Sequence, residues 1–339
     1  MYRGAKIGVV IPCYRVKAHV VDVIAGLPPE VDFIFCVDDS CPDGSGRHIQ
    51  ETHNDPRVRV IFHEQNRGVG GAVKTGYLAA RETGCDIAVK VDGDGQMDPR
   101  AVLAFVHPIA AGLCDYSKGN RFFRLEDVSA MPPVRLVGNA VLSFLTKAST
   151  GYWNIFDPTN GYTAIHLAVL DILPLDKVAD RYFFETDMLF RLNIARCVVR
   201  DVPMRAIYGN ERSNLKVRRV ILPFLGGHVR NFFKRIFYEY FLRDFHAASL
   251  EILLGPLVMV SGIVFGGYHW WLSVTTAHAA TAGTVMIAAL MIIAGLQFTL
   301  AALSFDVANV PTDAVHPLLV RNPTAVKGVD AELEQSPTS

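Results

Sequence analysis

Three oxygen-bearing side chains, those of Asp92, Asp94 and Gln96, follow the mostly apolar run 87–91. The run is rich in β-branched residues, which is typical of a buried strand, and side chains alternate between faces along an extended chain. The three groups can therefore point the same way, and such oxygen ligands suit Mg²⁺ or Mn²⁺, particularly where phosphates complete the coordination. We predict a divalent-cation site here; the alternative is a helix-entry turn, since Asp98 precedes a proline as an N-cap residue would.

Two further apolar runs end in polar groups. One, at 7–11, is followed by Pro12 and Tyr14, and the next along the chain closes on Asp38 and Asp39. Ligands of parallel sheets collect at the carboxyl ends of the strands, so we expect these residues near the acidic stretch. Either aspartate can accept a hydrogen bond from a ribose hydroxyl or a base imide; the alternative for each is to cap the following turn.

A glycine cluster that includes Gly68 and Gly71 follows Asn66 and opens a predicted helix. Free backbone N–H groups and the helix dipole favour an anion at such a position. The spacing is neither G-x-G-x-x-G nor a Walker A pattern, so a tight turn for close helix packing is the alternative.

The elements that must position these residues alternate between strand and helix through the first hundred residues. This alternation predicts an α/β domain with a parallel sheet. Further strands are predicted near 115–121, 163–165 and 198–204. A helix that begins near Phe183 would carry two acids in its first turn.

A mostly apolar helix is predicted at 132–147, with Arg135, Asn139 and Ser143 one turn apart on one face. Such a helix could lie in a membrane interface and present its polar stripe to a lipid headgroup. The alternative is an ordinary half-buried helix.

Composition points to a membrane-attached protein. Of the 339 residues, 50% are hydrophobic and 19% charged, and the mean hydropathy is +0.25. No charged residue occurs between Glu251 and Asp306, and this stretch is long enough for two spans, near 252–271 and 282–304.

The formal net charge is zero, so the overall charge of the protein gives no indication of nucleic-acid binding. The six cysteines lack paired zinc spacing and are expected to be reduced, buried thiols.

The predicted organisation has four parts: a catalytic α/β domain at 1–215, basic and aromatic interfacial helices at 216–246, two transmembrane helices at 247–306, and a disordered cytoplasmic tail at 307–339. The basic residues before the first span place that side in the cytoplasm by the positive-inside rule. We therefore expect a multi-pass protein of the inner membrane with its catalytic domain on the cytoplasmic face. The N-terminus leads straight into a strand pattern, so we expect no signal peptide.

Taken together, the motifs resemble those of glycosyltransferase family 2, and within it the polyprenyl-phosphate (dolichol-phosphate) sugar synthases. The pieces that carry the resemblance are Ile11-Pro12-Cys13-Tyr14, Val37-Asp38-Asp39-Ser40, Asn66-x-Gly68-x-Gly70, Asp92-Gly93-Asp94-Gly95-Gln96-Met97-Asp98-Pro99, Gly119-Asn120-Arg121 and Asp157-x-Thr159-Asn160-Gly161. The resemblance implies a GT-A fold and extends over about the first 215 residues. The two-span anchor is similar to that of bacterial members.

The resemblance also implies roles for individual residues. Nucleotide-sugar binding would fall to Pro12, Tyr14, Asp38, Asp39, Asn66, Gly68, Gly71 and Asp92. The metal, Mg²⁺ or Mn²⁺, would be held by Asp92, Asp94 and Gln96. The acceptor phosphate would be bound by Arg121, Arg135, Asn139 and Ser213, and the catalytic set would be Asp94, Asp157, Arg121 and Arg135. Asn139 stands where the family has a small hydroxyl residue, and Arg15-Val16-Lys17 replaces the usual Asn-Glu-Glu.

The implied reaction is an inverting displacement at the anomeric carbon by a lipid phosphate, from GDP-mannose first or a UDP-hexose second. A polyprenyl phosphate needs little help from a base, so Asp157 or Asp94 would position it. One alternative is transfer to a glycolipid hydroxyl with Glu185 or Asp187 as the base, and another is an inactive membrane-anchored scaffold. A processive polysaccharide synthase would carry a Gln-x-x-Arg-Trp motif, which this sequence lacks. A homo-oligomer is compatible with the sequence.

Overall fold

The structure, a computed structural model, describes residues 1–123, 133–205 and 217–321, without the side chains of 133–136, 217–221 and 321. The chain forms two compact units, one made of Met1–Phe232 together with the chain from Pro311 onward, the other of Phe233–Val310. Three predicted features lie outside the description: the side chain of Arg135, Ser213, and the tail beyond residue 321.

The first unit is built on a seven-stranded sheet with strand order β3-β2-β1-β4-β6-β5-β7. The strands are β1 (Ile7–Cys13), β2 (Phe33–Asp38), β3 (Val58–Phe62), β4 (Ile87–Lys90), β5 (Tyr116–Asn120), β6 (Thr163–His166) and β7 (Val199–Pro203). The first four strands are mutually parallel, and β6 runs antiparallel to both of its neighbours. The mainly parallel sheet predicted from the sequence is confirmed.

The helices of the first unit are α1 (Val20–Ala25), α2 (Ser45–Thr52), α3 (Val69–Glu82), α4 (Val102–Ala110), α5 (Pro133–Thr150), α6 (Phe184–Ile194) and the short α10 (His316–Arg321). Helix α7 (Val217–Phe237) begins in the first unit and ends in the second. Strands β1 and β4 are almost wholly buried, as their continuous apolar runs require in a sheet covered on both faces. Because β1, β2 and β4 are parallel neighbours, their carboxyl ends meet at one edge of the sheet.

The second unit consists mainly of two long helices, α8 (Ala247–Thr276) and α9 (Ala282–Ala308), after a π-helical turn at Tyr238–Arg243. Both helices are long and apolar enough to cross a membrane, and they contain the two predicted spans. Small residues lie where the helices meet: a Cβ added at Gly295 would fall 2.7 Å from Met259 Cα. Such residues let helix backbones approach closely in lipid, where dispersion contacts drive packing.

The close approach at Gly295 predicts a stability difference between two glycines of this hairpin. Gly295→Ala should lower the free energy of unfolding by about 1–3 kcal/mol, because the added methyl group overpacks the contact with Met259. Gly267→Ala is the matched control, since a Cβ there meets nothing within 4 Å. Thermal unfolding in detergent compares the two variants, and an equal effect would contradict the packing argument.

The predicted disordered tail is wrong for its first part. Helix α9 continues to Ala308, and the chain then returns to the first unit, where α10 follows Val315. The buried carboxylate of Asp115 accepts hydrogen bonds from the backbone N–H groups of Val315 and His316 and a contact from His316 Nδ1 at 2.9 Å. Burial raises the pKa of Asp115, but these hydrogen bonds outweigh it and the pKa lies below its usual value. A partner 200 residues away in sequence leaves no local pattern to predict.

His228 gives the first unit a pH dependence. Its ring is 3% exposed, its Nδ1 lies 2.8 Å from Ser149 Oγ, and burial lowers its pKa from 6.5 to about 4. The unfolded chain therefore takes up a proton more readily, so stability present above pH 6.5 is lost as the pH falls towards 4. His228→Gln should flatten part of this pH profile in thermal unfolding; His166, whose pKa is also about 4, accounts for a further part. An unchanged slope would contradict the assignment.

Candidate active site

A cleft of about 770 Å³ lies at the carboxyl ends of β1, β2 and β4. It gathers seven of the residues singled out in the sequence: Pro12, Tyr14, Asp39, Asn66, Gly68, Asp92 and Asp94. Three others named for the nucleotide-sugar or the metal do not line it: Asp38, Gly71 and Gln96. The meeting of strand ends, rather than any single motif, brings this set together.

Asp92 and Asp94 supply the carboxylates of the cleft. Asp92 lies two residues beyond the end of β4, and Asp94 Oδ1 accepts the backbone N–H of Gln96 at 3.0 Å. Gln96 is exposed, and its role as a metal ligand stays a prediction. Among the residues that the structure describes, no three His, Cys, Asp or Glu side chains form a metal site alone. Two hard oxygen donors fit Mg²⁺ or Mn²⁺ where a bound diphosphate supplies the remaining ligands.

Lys90, which sequence reasoning missed, contacts Asp92 from the end of β4. Its side chain is 1% exposed, and its Nζ lies 2.9 Å from Asp92 Oδ1, 3.4 Å from Glu185 Oε1 and 3.1 Å from the carbonyl of Gly161. Burial alone would lower the pKa of Lys90, but the two carboxylates outweigh it and raise the pKa above its ordinary value. A lysine two residues before Asp92 in an otherwise apolar strand is the signal that was available, because positions i and i+2 share a face.

The two aspartates at the end of β2 have different hydrogen-bond partners. Asp39 lines the cleft and accepts the backbone N–H groups of Arg67 at 2.8 Å and Gly68 at 2.7 Å, with His63 Nδ1 2.8 Å away. It therefore fixes the loop that precedes α3. Asp38 instead accepts the backbone N–H groups of Cys41, in the following turn, and of Gly46, at the start of α2; this agrees with the capping alternative.

The glycines before and within α3 allow a close backbone approach. Gly68 has a φ of +87°, and a Cβ there would lie 2.7 Å from the carbonyl oxygen of Asp180. Gly71 donates its N–H to that carbonyl at 3.1 Å. Close packing thus accounts for Gly71, whereas Gly68 also faces the cleft.

Asp157 and Arg121 form a forked ion pair. Arg121 Nε lies 2.7 Å and Nη2 3.0 Å from the two oxygens of Asp157, whose side chain is 0% exposed. Arg121 Nη2 also approaches Thr159 Oγ1 at 3.4 Å. A carboxylate buried against a guanidinium orients that guanidinium and is poorly placed to take a proton from a substrate. The geometry makes Asp157 the support of Arg121.

A second space, which we call the side cavity, adjoins the cleft and has a volume of about 390 Å³. One face of α5 lines it through Asn139, Ser143 and Lys147, and the segment 153–159 lines it opposite, with Phe122. Thr159 and Leu142 line both the side cavity and the cleft.

The two acids at the start of α6 differ in accessibility. Glu185 lines the cleft beside Lys90. Asp187 is buried and accepts hydrogen bonds from the backbone of Ala179 and the side chain of Asn231, both at 3.0 Å. Only Glu185 of this pair can reach a ligand in the cleft.

Comparison with known proteins identifies relatives. The model of the glycosyl transferase family 2 matches residues 8–173. The UDP-N-acetylglucosamine–dolichyl-phosphate N-acetylglucosaminyltransferase of Methanococcus voltae is 31% identical over 229 residues, 63% of this chain and 90% of that protein. The undecaprenyl-phosphate mannosyltransferase of Micrococcus luteus is 30% identical over 48% of this chain and 66% of its own length.

The fold has a solved counterpart. Glucosyl-3-phosphoglycerate synthase of Mycobacterium tuberculosis, in complex with UDP, superposes with a TM-score of 0.50 at 21% identity, over 68% of this chain and 80% of that one. This similarity supports the GT-A-like arrangement of the sheet. The match along almost the whole length of the Methanococcus protein decides the family. The chain belongs to glycosyltransferase family 2.

Proposed function

We propose that this protein is a membrane-anchored, inverting glycosyltransferase that moves one sugar from a nucleotide-sugar to a polyprenyl phosphate. One observation carries the proposal: the acid-lined cleft and the side cavity meet at Thr159, beside the guanidinium of Arg121. A polar donor and a phosphate with an apolar tail would need two such adjoining spaces. Two relatives are named for transfer to dolichyl phosphate and to undecaprenyl phosphate, which supports this acceptor class.

In this proposal the donor lies in the cleft. Pro12 and Tyr14 contact the nucleoside, and Asp39 holds the loop before α3 against it. Asp92 and Asp94 would hold Mg²⁺ or Mn²⁺ against the diphosphate. When bound, the cation neutralises negative charge on the departing nucleoside diphosphate.

The acceptor supplies its own nucleophile. The second pKa of a phosphate monoester is near ~6, so at neutral pH the acceptor is mostly a dianion and needs no strong base. Arg121, held by Asp157, orients a phosphate oxygen towards the anomeric carbon, and the new C–O bond forms opposite the bond that breaks. This reaction inverts the anomeric centre.

The donor is tested with GDP-mannose first and UDP-linked hexoses second, because relatives named for mannose and for N-acetylglucosamine transfer both match. Purified protein in detergent is incubated with Mg²⁺, undecaprenyl phosphate and radiolabelled GDP- and UDP-sugars, and the lipid is extracted. We expect label in the lipid from one donor and its loss in Arg121→Ala. No lipid label from any donor would refute the proposal.

A second candidate is transfer to a glycolipid hydroxyl, because Glu185 lines the cleft and a hydroxyl acceptor needs a base. Glu185→Gln separates the two. Transfer to a lipid phosphate should fall less than tenfold, whereas loss of a general base costs about 10²–10⁴-fold. Lipid phosphate and glycolipid acceptors are assayed side by side.

Lys90 should weaken cation binding, because its ammonium lies 2.9 Å from Asp92 Oδ1. Lys90→Met removes this competing charge, so the dissociation constant of Mn²⁺ should fall by about tenfold. Electron paramagnetic resonance of free Mn²⁺ measures it, with Lys147→Met as the control outside the cleft. Weaker binding in Lys90→Met would contradict the expectation.

The two long apolar helices support membrane anchoring. We place the catalytic unit on the cytoplasmic face of the inner membrane, since basic residues crowd the chain before the first span. Protease protection in sealed vesicles tests this orientation.

A further inference from the structure

The backbone N–H of Gly161 has no acceptor in the part of the chain that the structure describes. Gly161 is half-buried, lines the cleft and lies outside the strands and helices. Its carbonyl is used, because it accepts the ammonium of Lys90 at 3.1 Å. Backbone N–H groups away from bulk water are almost always paired, so an unpaired one on the wall of a cleft is available to a ligand.

The peptide unit that joins Asn160 to Gly161 is polarised from its carbonyl end. Lys118 is buried on β5, and its Nζ donates to the carbonyl oxygen of Asn160. In a trans peptide the N–H points away from the C=O of the same unit, and the described chain contains no cis peptide. The N–H of Gly161 therefore points away from Lys118. An ammonium on the carbonyl also makes that N–H a stronger hydrogen-bond donor.

Lys118 has little compensation for its burial. Its side chain is 0% exposed, and it forms no ion pair with any side chain that the structure describes. The charged groups around it are the carboxylates of Glu185, Asp157 and Asp201 and the ammonium of Lys90. Burial is the main reason that the pKa of Lys118 is lowered to about 8. Burying an ammonium without a paired carboxylate is costly, and groups of this kind cluster at functional sites.

The surroundings of Gly161 indicate which ligand its N–H would meet. A Cβ added at Gly161 would lie 2.8 Å from Asp92 Oδ2, so Gly161 adjoins a carboxylate that holds the cation in our proposal. Thr159, two residues earlier, lies where the cleft joins the side cavity. The N–H therefore lies between the site of the cation-bound diphosphate and the site of the acceptor. The ligand that fits an N–H at this position is a phosphate oxygen.

We infer that the N–H of Gly161 donates a hydrogen bond to the departing diphosphate, and that Lys118 is the positioning residue that orients and polarises this donor. The inference rests on the proposed function. When the bond between the anomeric carbon and the diphosphate oxygen breaks, its electron pair stays on that oxygen, and a phosphate oxygen of the acceptor forms the new bond to carbon. An N–H directed at the departing oxygen stabilises charge that develops only as the bond breaks.

The N–H itself is tested by replacing Gly161 with glycolic acid through nonsense suppression in the full-length protein, so that an ester oxygen takes its place. We expect kcat to fall by about 10²-fold and KM for the nucleotide-sugar to change by less than about threefold. The affinity for GDP or UDP with Mg²⁺, measured by calorimetry, should fall by about tenfold. The control is the same exchange at Gly84, which lines neither cavity and donates its N–H to the carbonyl of Arg81. It should change neither value by more than about twofold.

Lys118 is tested by the dependence of kcat on pH above 7, where the acceptor phosphate is already mostly a dianion. Because the pKa of Lys118 is about 8, the kcat of the wild type should fall as the pH rises through 8. Lys118→Met should be about tenfold slower at pH 7 and lack this fall. Lys118→Arg should also lack it but keep more activity, since arginine stays charged. Lys74→Met is the control and should retain the fall: Lys74 is also buried and donates to a backbone carbonyl, that of Val178, but it does not line the cleft.

The outcomes separate the inference from the proposed function. If the wild type transfers no sugar to a lipid phosphate but the ester at Gly161 still weakens GDP or UDP binding, the proposed function fails and the assignment of the N–H stands. If transfer occurs and the ester changes neither kcat nor this affinity, the assignment alone is overturned. A higher KM for the lipid phosphate with unchanged GDP or UDP affinity would also overturn it, because the N–H would then bind the acceptor. A fall above pH 8 that persists in Lys118→Met would contradict the role of Lys118.

Discussion

Asp94→Ala is expected to lower kcat by about 10²–10³-fold, the usual cost of removing one group that stabilises charge in a transition state. Asp94 lines the cleft beside Asp92, and in our proposal these two carboxylates are the protein ligands of the cation. Losing one of two ligands should also raise the Mn²⁺ concentration needed for half-maximal activity. Initial rates over a Mn²⁺ titration measure both effects.

The matched control for Asp94 is Asp98→Ala. Asp98 lies in the same loop, but its carboxylate caps the short 3₁₀ helix Pro99–Ala101 and pairs with the exposed Arg100. This variant removes the same charge four residues away, so it should retain most of the activity and its Mn²⁺ dependence. If Asp98→Ala is as inactive as Asp94→Ala, the loop's structure rather than its metal ligands would be the cause. If Asp94→Ala keeps wild-type Mn²⁺ dependence, Asp94 is not a ligand.

Asp306→Leu is expected to lower the free energy of unfolding by about 1–3 kcal/mol, because the buried side chains of Arg235 and Tyr240 lose the carboxylate that they bond, although Glu239 still pairs with Arg235. Arg235 is 1% exposed, and its Nη1 and Nη2 lie 2.5 and 2.9 Å from the two oxygens of Asp306. Tyr240 donates to the same carboxylate, and Glu239 is the second acid on Arg235. Unfolding in a mixed-detergent titration measures the loss, with Ser304→Leu, an exposed position on the same helix, as the control.

A triple variant tests why Asp306→Leu lowers the free energy of unfolding. Arg235→Met with Glu239→Leu and Asp306→Leu removes all three charges together, and it should recover most of the lost stability since no buried charge remains unpaired. If the triple variant is as unstable as Asp306→Leu, the ion pairs themselves stabilise this unit. In either case the cluster lies within the second unit.

The sheet could be predicted because its signal is local. The runs at β1 and β2 are apolar up to their ends, that at β4 is apolar apart from Lys90, and polar residues follow each run. Both the strands and the edge where they meet could therefore be predicted from the sequence. The same logic brought Asp39, Asp92 and Asp94 to one cleft. Periodicity and strand polarity suffice for features that depend on neighbours along the chain.

Roles that depend on partners distant in sequence could not be predicted. Asp38 and Asp39 are adjacent and chemically identical. Nevertheless, Asp38 accepts a hydrogen bond from Gly46 of α2, whereas Asp39 accepts one from Gly68 in the loop before α3. The sequence makes Asp157 a candidate catalytic residue, but its carboxylate forms a forked ion pair with Arg121, 36 residues away. The pairing of Lys90 with Glu185 spans 95 residues and joins β4 to α6. Each of these contacts depends on tertiary packing, which a single sequence does not encode locally.

The bonds that Asp115 accepts from Val315 and His316 also bear on biosynthesis. The ribosome makes Asp115 long before these partners, and the hairpin Phe233–Val310 is made in between. Chains fold largely as they emerge from the ribosome, N-terminal parts first. The carboxylate of Asp115 therefore lacks these hydrogen bonds until residues 315 and 316 have been made. The hydrogen bonds that Val315 and His316 donate to Asp115 can form only after both apolar helices have been synthesised. A chain that ends before residue 315 would therefore lack the hydrogen bonds that Val315 and His316 donate to Asp115.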